Sequence, residues 1–482
     1  MDIGFQGRRQ VVILPSMTID IPEPMRAAAG PMLMTREERL LCLLLMLKDP
    51  AVSLVYVSSL PLTPSLVDYW LQQVPQAGAV KRLTLFAVDD ASPHPLSQKL
   101  VESPGALERL RSLIVDPTDA YLLPFHAHEL DQRVATGLGI PMFGVAPELA
   151  ARFGSKSGAR AVFAACGIPH ANGVEGIRTV GDLARAVRSL VEGRPDPRDL
   201  VIKQDHAGGG HGNALVTVDQ ALSDVEVRDR IFQLRPDDPR FSPEMFLTRL
   251  EQKGGVVEER LIGDEVWSPS VQLHIHPDGK VLVNSTHEQV LGGATGQSYA
   301  GCRFPADGPY AATIARHADA IGHYLADHGV IGYVGIDFVV TRSGGGDWHA
   351  FAIEINPRMT GTVHHFETLR HLTRGVYDAD AGLFRLSDRS SRHYVGSDDL
   401  SVDGLKNLRP GDLPGLVRDT DIAWNPTRQR GVLFHTISAV AVTGTVGVTA
   451  IGESPDDAES LHRGAGRLLE SLACGPDPVR NV

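Results

Sequence analysis

Gly332 to Arg358 reads GYVGIDFVVTRSGGGDWHAFAIEINPR, and the reading of this stretch decides the fold. Two β-type runs flank the glycine-rich turn SGGGD, so the chain doubles back as an antiparallel hairpin. If the hairpin is symmetric about the Gly345–Gly346 bond, Asp337 lies opposite Glu354 and alternation puts Asn356 on the same face. Ile336, Phe338, Ile353 and Ile355 then point to the other face. Two carboxylates opposed across a sheet repel each other unless a cation sits between them. Oxygen-only ligands, two charged and one amide, suit Mg²⁺, which keeps its remaining positions for water and phosphate. The plain alternative is an exposed polar face on an edge hairpin.

Working outward toward the N-terminus, the next signal is Lys203 on a short strand, followed by AGGGHGN and a second strand. Gly208, Gly209, Gly210 and Gly212 leave backbone N–H groups free to close over phosphate oxygens, and a lysine at the strand end adds a point charge. Because a strand follows rather than a helix, the unit reads as a flap and not as a P-loop. Taken alone, a flexible hairpin loop explains the glycines as well. Lys156 stands at the start of the helix SGARAVFAACG, where a cation opposes the positive end of the helix dipole unless an anion binds there. A solvated lysine is its simpler reading. VVEERLIGDE (256–265) is a β run ending in acids. Its backbone near Glu258, Glu259 and Leu261 could meet an adenine edge, with Glu265 placed for ribose hydroxyls, and an ordinary strand with exposed glutamates is the alternative.

The surrounding chain sets the frame. At 482 residues it exceeds what one core organises, and 43% hydrophobic with 22% charged residues is an ordinary globular balance. A net charge of -12 without a Lys/Arg block argues against a nucleic-acid partner. Cys42, Cys166, Cys302 and Cys474 make no metal-ligand spacing and read as reduced thiols of a cytoplasmic protein. Arg8 and Arg9 precede only Val11 to Leu14, too short for a signal core. The longest apolar run, Leu40 to Leu47, is far below the roughly 20 residues of a membrane span and reads as a buried helix.

Residues 1–150 alternate β runs (11–17, 54–60, 82–90, 120–125, 140–145) with helical stretches, which predicts a Rossmann-like parallel layer. The turn after the first run, PSMTIDIPEP, lacks the dinucleotide glycines. Residues 151–255 read as a small α+β module and 256–375 as a strand-rich block carrying the metal hairpin. Residues 376–482 read as a C-terminal α+β unit, with β runs at VLFHTISAVAVTG and TVGVTAIG and a last helix.

In this order, Lys156, Lys203 with its glycine loop, Glu258/Glu259, Glu265, Asp337 and Glu354-Ile355-Asn356 resemble the ATP-grasp superfamily from about Ser155 to Arg358. The resemblance implies a preATP-grasp domain followed by an ATP-grasp fold that clamps ATP between two α+β subdomains. It implies phosphate contacts from Lys156 and Lys203, an adenine hinge at Glu258 to Leu261, a ribose contact at Glu265, and Mg²⁺ on Asp337, Glu354 and Asn356. The segments EERLLCLLLMLKDP, STHEQVLGGATGQSYAGCRFP, EINPRMTGTVHH and GVLFHTISAVAVTG resemble the pheganomycin-type peptide ligases across essentially the whole chain. This implies a carboxylate–amine ligase of peptide natural-product biosynthesis, working through an acyl phosphate on an amino-acid donor and a peptide or other amine acceptor, with a homodimer as a permitted assembly. A ligase for a small-molecule amine and a non-catalytic nucleotide-binding protein are the rival readings.

One position departs from the dipeptide-forming relatives. Where they carry an arginine two residues before the first metal-binding aspartate, this chain has Gly335, leaving Arg358 and Arg303 to stabilise the transferring phosphoryl group. Arg303 could equally be a structural ion-pair residue. The general base for the amine stays open among His206, His211, His287 and Glu288.

Overall fold

A computed structural model describes residues 9–18, 23–76, 78–193, 196, 198–206, 212–219, 222–292 and 298–473. Strands Leu83–Ala87, Ser53–Ser58, Gln10–Leu14 and Ala120–Pro124 form, in that order, a four-stranded sheet, parallel at every pairing. The apolar runs of the last three are buried on both faces, as parallel strands covered by helices require, whereas the edge strand Leu83–Ala87 is partly exposed. The fifth predicted run, 140–145, adds only one parallel bridge, Leu122 with Met142. Pro141 supplies a carbonyl to Leu122 but has no N–H with which to extend a ladder. The helical run Glu37–Lys48 is buried through Leu40 to Leu47 as its composition requires, and its first turn, Glu37 to Arg39, is buried too.

A five-stranded antiparallel sheet orders Gly173–Ile177, Gly255–Glu259, Arg198–Gln204, Asn213–Val218 and Arg235–Pro236. The third sheet has nine strands and holds the decisive hairpin, Gly332–Arg342 with His349–Asn356. On one side the sheet continues through Pro269–Ile275, Val281–Gly292 and Ser298–Phe304. It then runs on into His393–Leu400, Val446–Gly452 and Gly431–His435, so these C-terminal strands extend this sheet, while Val376–Asp378 and Leu383–Arg385 form a two-stranded sheet of their own. The run VLFHTISAVAVTG is strand only over Gly431–His435, and Ala439–Val442 is helical. Thr436, at φ 46°, breaks the extended conformation between them. No helix among the described residues is long and apolar enough to cross a membrane.

The hairpin register reaches the anticipated pairing by an unanticipated route. Thr341 pairs with His349 and Phe338 with Ala352, which centres the turn on Gly345, but a bulge then brings Asp337 opposite Glu354 and Ile336 opposite Ile355. Ile353 is the extra residue. Ile336, Phe338 and Ile355 enter the core beneath the Gly308–Asp327 helix, whereas Ile353 stays half-buried outside it, against the alternation expected from sequence.

Candidate active site

Asp337 and Asn356 meet on one face of the nine-stranded sheet, where the Asn356 amide donates to Asp337 Oδ2 at 2.9 Å. Gln289, on Val281–Gly292, donates to Asp337 Oδ1 at 2.8 Å. Burial and the neighbouring Glu354 charge push the Asp337 carboxyl above the ordinary range, against the pull of Lys156 and Arg358. Lys156 Nζ lies 2.5 Å from Glu354 Oε1, so this lysine is buried at 7% exposure and is not solvated. Two backbone bonds fix its helix start: Lys156 N donates to the Asp205 carbonyl, and Ser157 N donates to Asp205 Oδ1 at 2.8 Å. Arg358 leaves the strand after Pro357 and donates to Asn356 Oδ1 at 3.0 Å. Five of the residues singled out in the sequence thus converge: Asp337, Glu354, Asn356, Lys156 and Arg358.

Lys203 is held elsewhere. Its Nζ is 2.5 Å from Glu258 Oε2, and Arg160 Nη1 is 2.8 Å from Glu258 Oε1. Burial alone would raise the Glu258 carboxyl, but the Lys203 and Arg160 charges and hydrogen bonds overcome it and pull it below the ordinary value. Gly212 O accepts from Gln204 N at 2.9 Å, which closes the flap's base, while Gly208, Gly209, Gly210 and His211 lie outside the described residues. Glu259 ends its strand, and Leu261 sits half-buried in the link from the five-stranded to the nine-stranded sheet. Glu265 begins the next strand at the sheet edge, where Arg342 donates to its Oε1 at 2.9 Å through Nε.

Arg303 is not brought to the cluster. It pairs with Glu288 in the ladder while Cys302 pairs with Gln289, so alternation points Arg303 to the sheet face opposite Asp337. There it is half-exposed and ion-paired to Glu459 at 2.6 Å. That is the ion-pair role left open by the sequence. Gly335 has no room for the relatives' arginine: an added Cβ would lie 2.6 Å from Thr360 Cγ2 and 3.2 Å from Gln272 Nε2.

Among the general-base candidates, burial lowers His287 to about 3, and its Nε2 is 2.6 Å from the Tyr394 hydroxyl. Burial raises Glu288 to about 7, but its carboxylate is taken by the Tyr310 hydroxyl on the opposite face. His206 sits exposed in a turn. Sequence reasoning missed Gln289, Arg160 and Asp205. Only the first had a local signal, the alternating run THEQV, which places Gln289 two residues from His287 on one face.

A family model described as IQCH-like, ATP-grasp matches residues 240–380, and one described as PGM1 C-terminal domain matches 412–465. The chain folds like biotin carboxylase from Campylobacter jejuni, solved with an ATP analogue, at a TM-score of 0.58 and 14% identity, covering 98% of this chain and 96% of that one. It also resembles an N5-carboxyaminoimidazole ribonucleotide synthetase solved with ADP, at a TM-score of 0.52 and 11% identity, covering 96% and 97%. Over residues 240–380 the chain is thus similar to ATP-grasp proteins. More narrowly, it is 29% identical to the L-propargylglycine–L-glutamate ligase of Streptantibioticus cattleyicolor over 93% of this chain and 91% of that protein. It is 22% identical to the IQ motif-containing protein H of Danio rerio, over 77% of this chain and 39% of that protein.

Proposed function

We propose that the chain is an ATP-dependent carboxylate–amine ligase that activates an acid as an acyl phosphate, releases ADP and phosphate, and serves peptide natural-product synthesis in the cytoplasm. The observation that carries this reading is the convergence of Asp337, Glu354 and Asn356 with Lys156 and Arg358. The donor set fits Mg²⁺: all three ligands are oxygens, and burial together with the facing Glu354 holds the Asp337 carboxyl above its ordinary range. Mg²⁺ bound by Asp337, Glu354 and Asn356 would neutralise phosphate charge and align the transferring group. Lys156 supplies a point charge to the phosphates, and Lys203, held by Glu258 in this structure, supplies a second. The link from Glu258 to Leu261 faces the adenine and Glu265 takes the ribose. Arg358 replaces the missing arginine at Gly335 and stabilises the charge that develops on the phosphoryl group.

The acceptor is the amine of an amino acid or of a peptide. A relative that joins two amino acids favours the former, and the resemblance to peptide ligases favours the latter. The test is the product nucleotide together with hydroxylamine trapping. ADP, phosphate and a hydroxamate of the donor acid are expected. AMP with pyrophosphate would mean adenylation and would sink the mechanism.

A further inference from the structure

Parallel sheets bind ligands outside the carboxyl ends of their strands, at the point where the strand order reverses. In the four-stranded sheet that point lies between Gln10–Leu14 and Ala120–Pro124, because the chain moves from the first strand outward to Ser53–Ser58 and Leu83–Ala87, then returns to the first strand's other side. The segments leaving these two strands meet across the crevice, where Thr18 N donates to His126 Nδ1 at 3.1 Å. The crevice abuts the metal hairpin's exit, since Met359 N donates to the Phe125 carbonyl at 3.2 Å.

Positive charge collects here. The charges bearing on His126 are Arg358 and Arg39, one on the metal strand's end and the other on the Glu37–Lys48 helix. Arg39 is 8% exposed, and its guanidinium lies over the Phe125 ring at 5.2 Å. One arm, Nη2, donates to Asp398 Oδ2 at 3.0 Å, while its Nε is buried with no hydrogen-bond partner. A buried guanidinium edge left unsatisfied costs stability, and a planar fork of this kind matches a carboxylate. Asp398 does not depend wholly on Arg39, because His364 and His365 lie 3.2 and 3.3 Å from its Oδ1.

We propose that Arg39 is the anchor for a free carboxylate on the amine acceptor, held at the switch-point crevice where the segments leaving the two strands meet at His126. The acceptor is then an amino acid carrying its carboxylate within a few bonds of its amine, and not a long peptide whose carboxylate is remote from its amino terminus. This rests on the ligase reading above. It separates two cationic tasks: Arg358 serves the reacting group and Arg39 the non-reacting acid.

The experiment takes the full chain with ATP and Mg²⁺. A hydroxamate screen over the proteinogenic L-amino acids and L-propargylglycine first identifies the donor without any acceptor. Absence of any hydroxamate would count against the ligase reading itself and not against the anchor. With that donor, each amino acid is offered as acceptor in its acid and its carboxamide form. The wild type should favour acids over amides by about ten- to a hundredfold in kcat/KM, as expected for losing a charge-assisted pair. Equal use of amides would overturn the proposal, and this comparison needs no variant. Arg39→Lys, which keeps a charge opposite Asp398, should raise the acceptor KM by about tenfold while leaving the hydroxamate rate within about twofold. Equal loss of hydroxamate and ligation in a folded Arg39→Lys protein would assign Arg39 to the donor or to the scaffold, and the proposal would fall.

Discussion

Two buried ion-pair clusters hold their carboxylates in different ways. Around Glu258 one carboxylate meets two cations, Lys203 and Arg160, and is pulled below its ordinary range. Around Asp337 and Glu354 two carboxylates share Lys156 and the nearby Arg358, and the Asp337 carboxyl is pushed up by burial and by Glu354. The first arrangement is complete without any further ion. In the second the charges also match in number, two acids to two cations, yet the Asp337 carboxyl is raised where the Glu258 carboxyl is lowered. A buried Lys–Glu pair of 2.5 Å, present in both, therefore does not set the balance by itself: the second, facing acid does, which makes the Asp337 cluster the candidate for a divalent cation and leaves the Glu258 cluster as framework around Lys203.

The contrast breaks most readily on turnover and stability together. Asp337→Asn and Glu354→Gln should each lower turnover by at least about a thousandfold, since each removes a metal ligand at the reacting phosphate. Asp337→Asn should not lower the melting temperature measured without Mg²⁺, because it removes one of two facing acids, whereas Glu354→Gln should lower it by leaving Lys156 buried beside a neutral amide. Turnover at the wild-type rate, at limiting Mg²⁺, would return the hairpin to a polar surface.

Next in size is the choice of arginine. Arg358→Lys keeps the charge but loses the planar fork, so kcat should fall by about a hundredfold with a much smaller change in nucleotide affinity. Arg303→Lys should leave kcat within about twofold, since Arg303 pairs with Glu459 on the far side of the sheet. Loss of kcat only in the Arg303 variant would reverse the assignment.

Much of this contrast was legible in the sequence, for reasons that differ by residue. Asp337, Glu354 and Asn356 could be placed together because a hairpin with a short glycine turn is local and strand alternation has a fixed period. The bulge at Ile353 was not legible, because one inserted residue leaves the composition of the run unchanged. Lys156 could be placed at a helix start, but its partner Glu354 lies about two hundred residues away and the pairing depends on tertiary packing. The same holds for Arg160 with Glu258 and for Arg39 with Asp398. Arg303 stayed open between a phosphoryl contact and a structural ion pair because its face is set by which strand flanks Val281–Gly292, and nothing in the GCRFP motif states that. The continuation of the large sheet into the C-terminal strands was hidden in the same way.

The smallest expected effect lies in the pH dependence of the framework cluster, and it tests whether Glu258 is as fully compensated as its distances imply. Glu258→Gln leaves the Lys203 charge buried beside a neutral amide, while Arg160 keeps Glu175 at 2.5 Å, so the loss should be about 3 kcal/mol near neutrality. The folded-state carboxyl sits below its model value of 4.5, so the wild type's advantage is fully present above about pH 4.5 and is lost as pH falls through the depressed value. The melting temperatures of wild type and Glu258→Gln should therefore lie apart at pH 7 and converge as the pH drops below 4.5. A difference that stays constant down to the acid limit would mean that the glutamate contributes through packing alone. The contrast with Asp337 would then rest on one charged cluster instead of two.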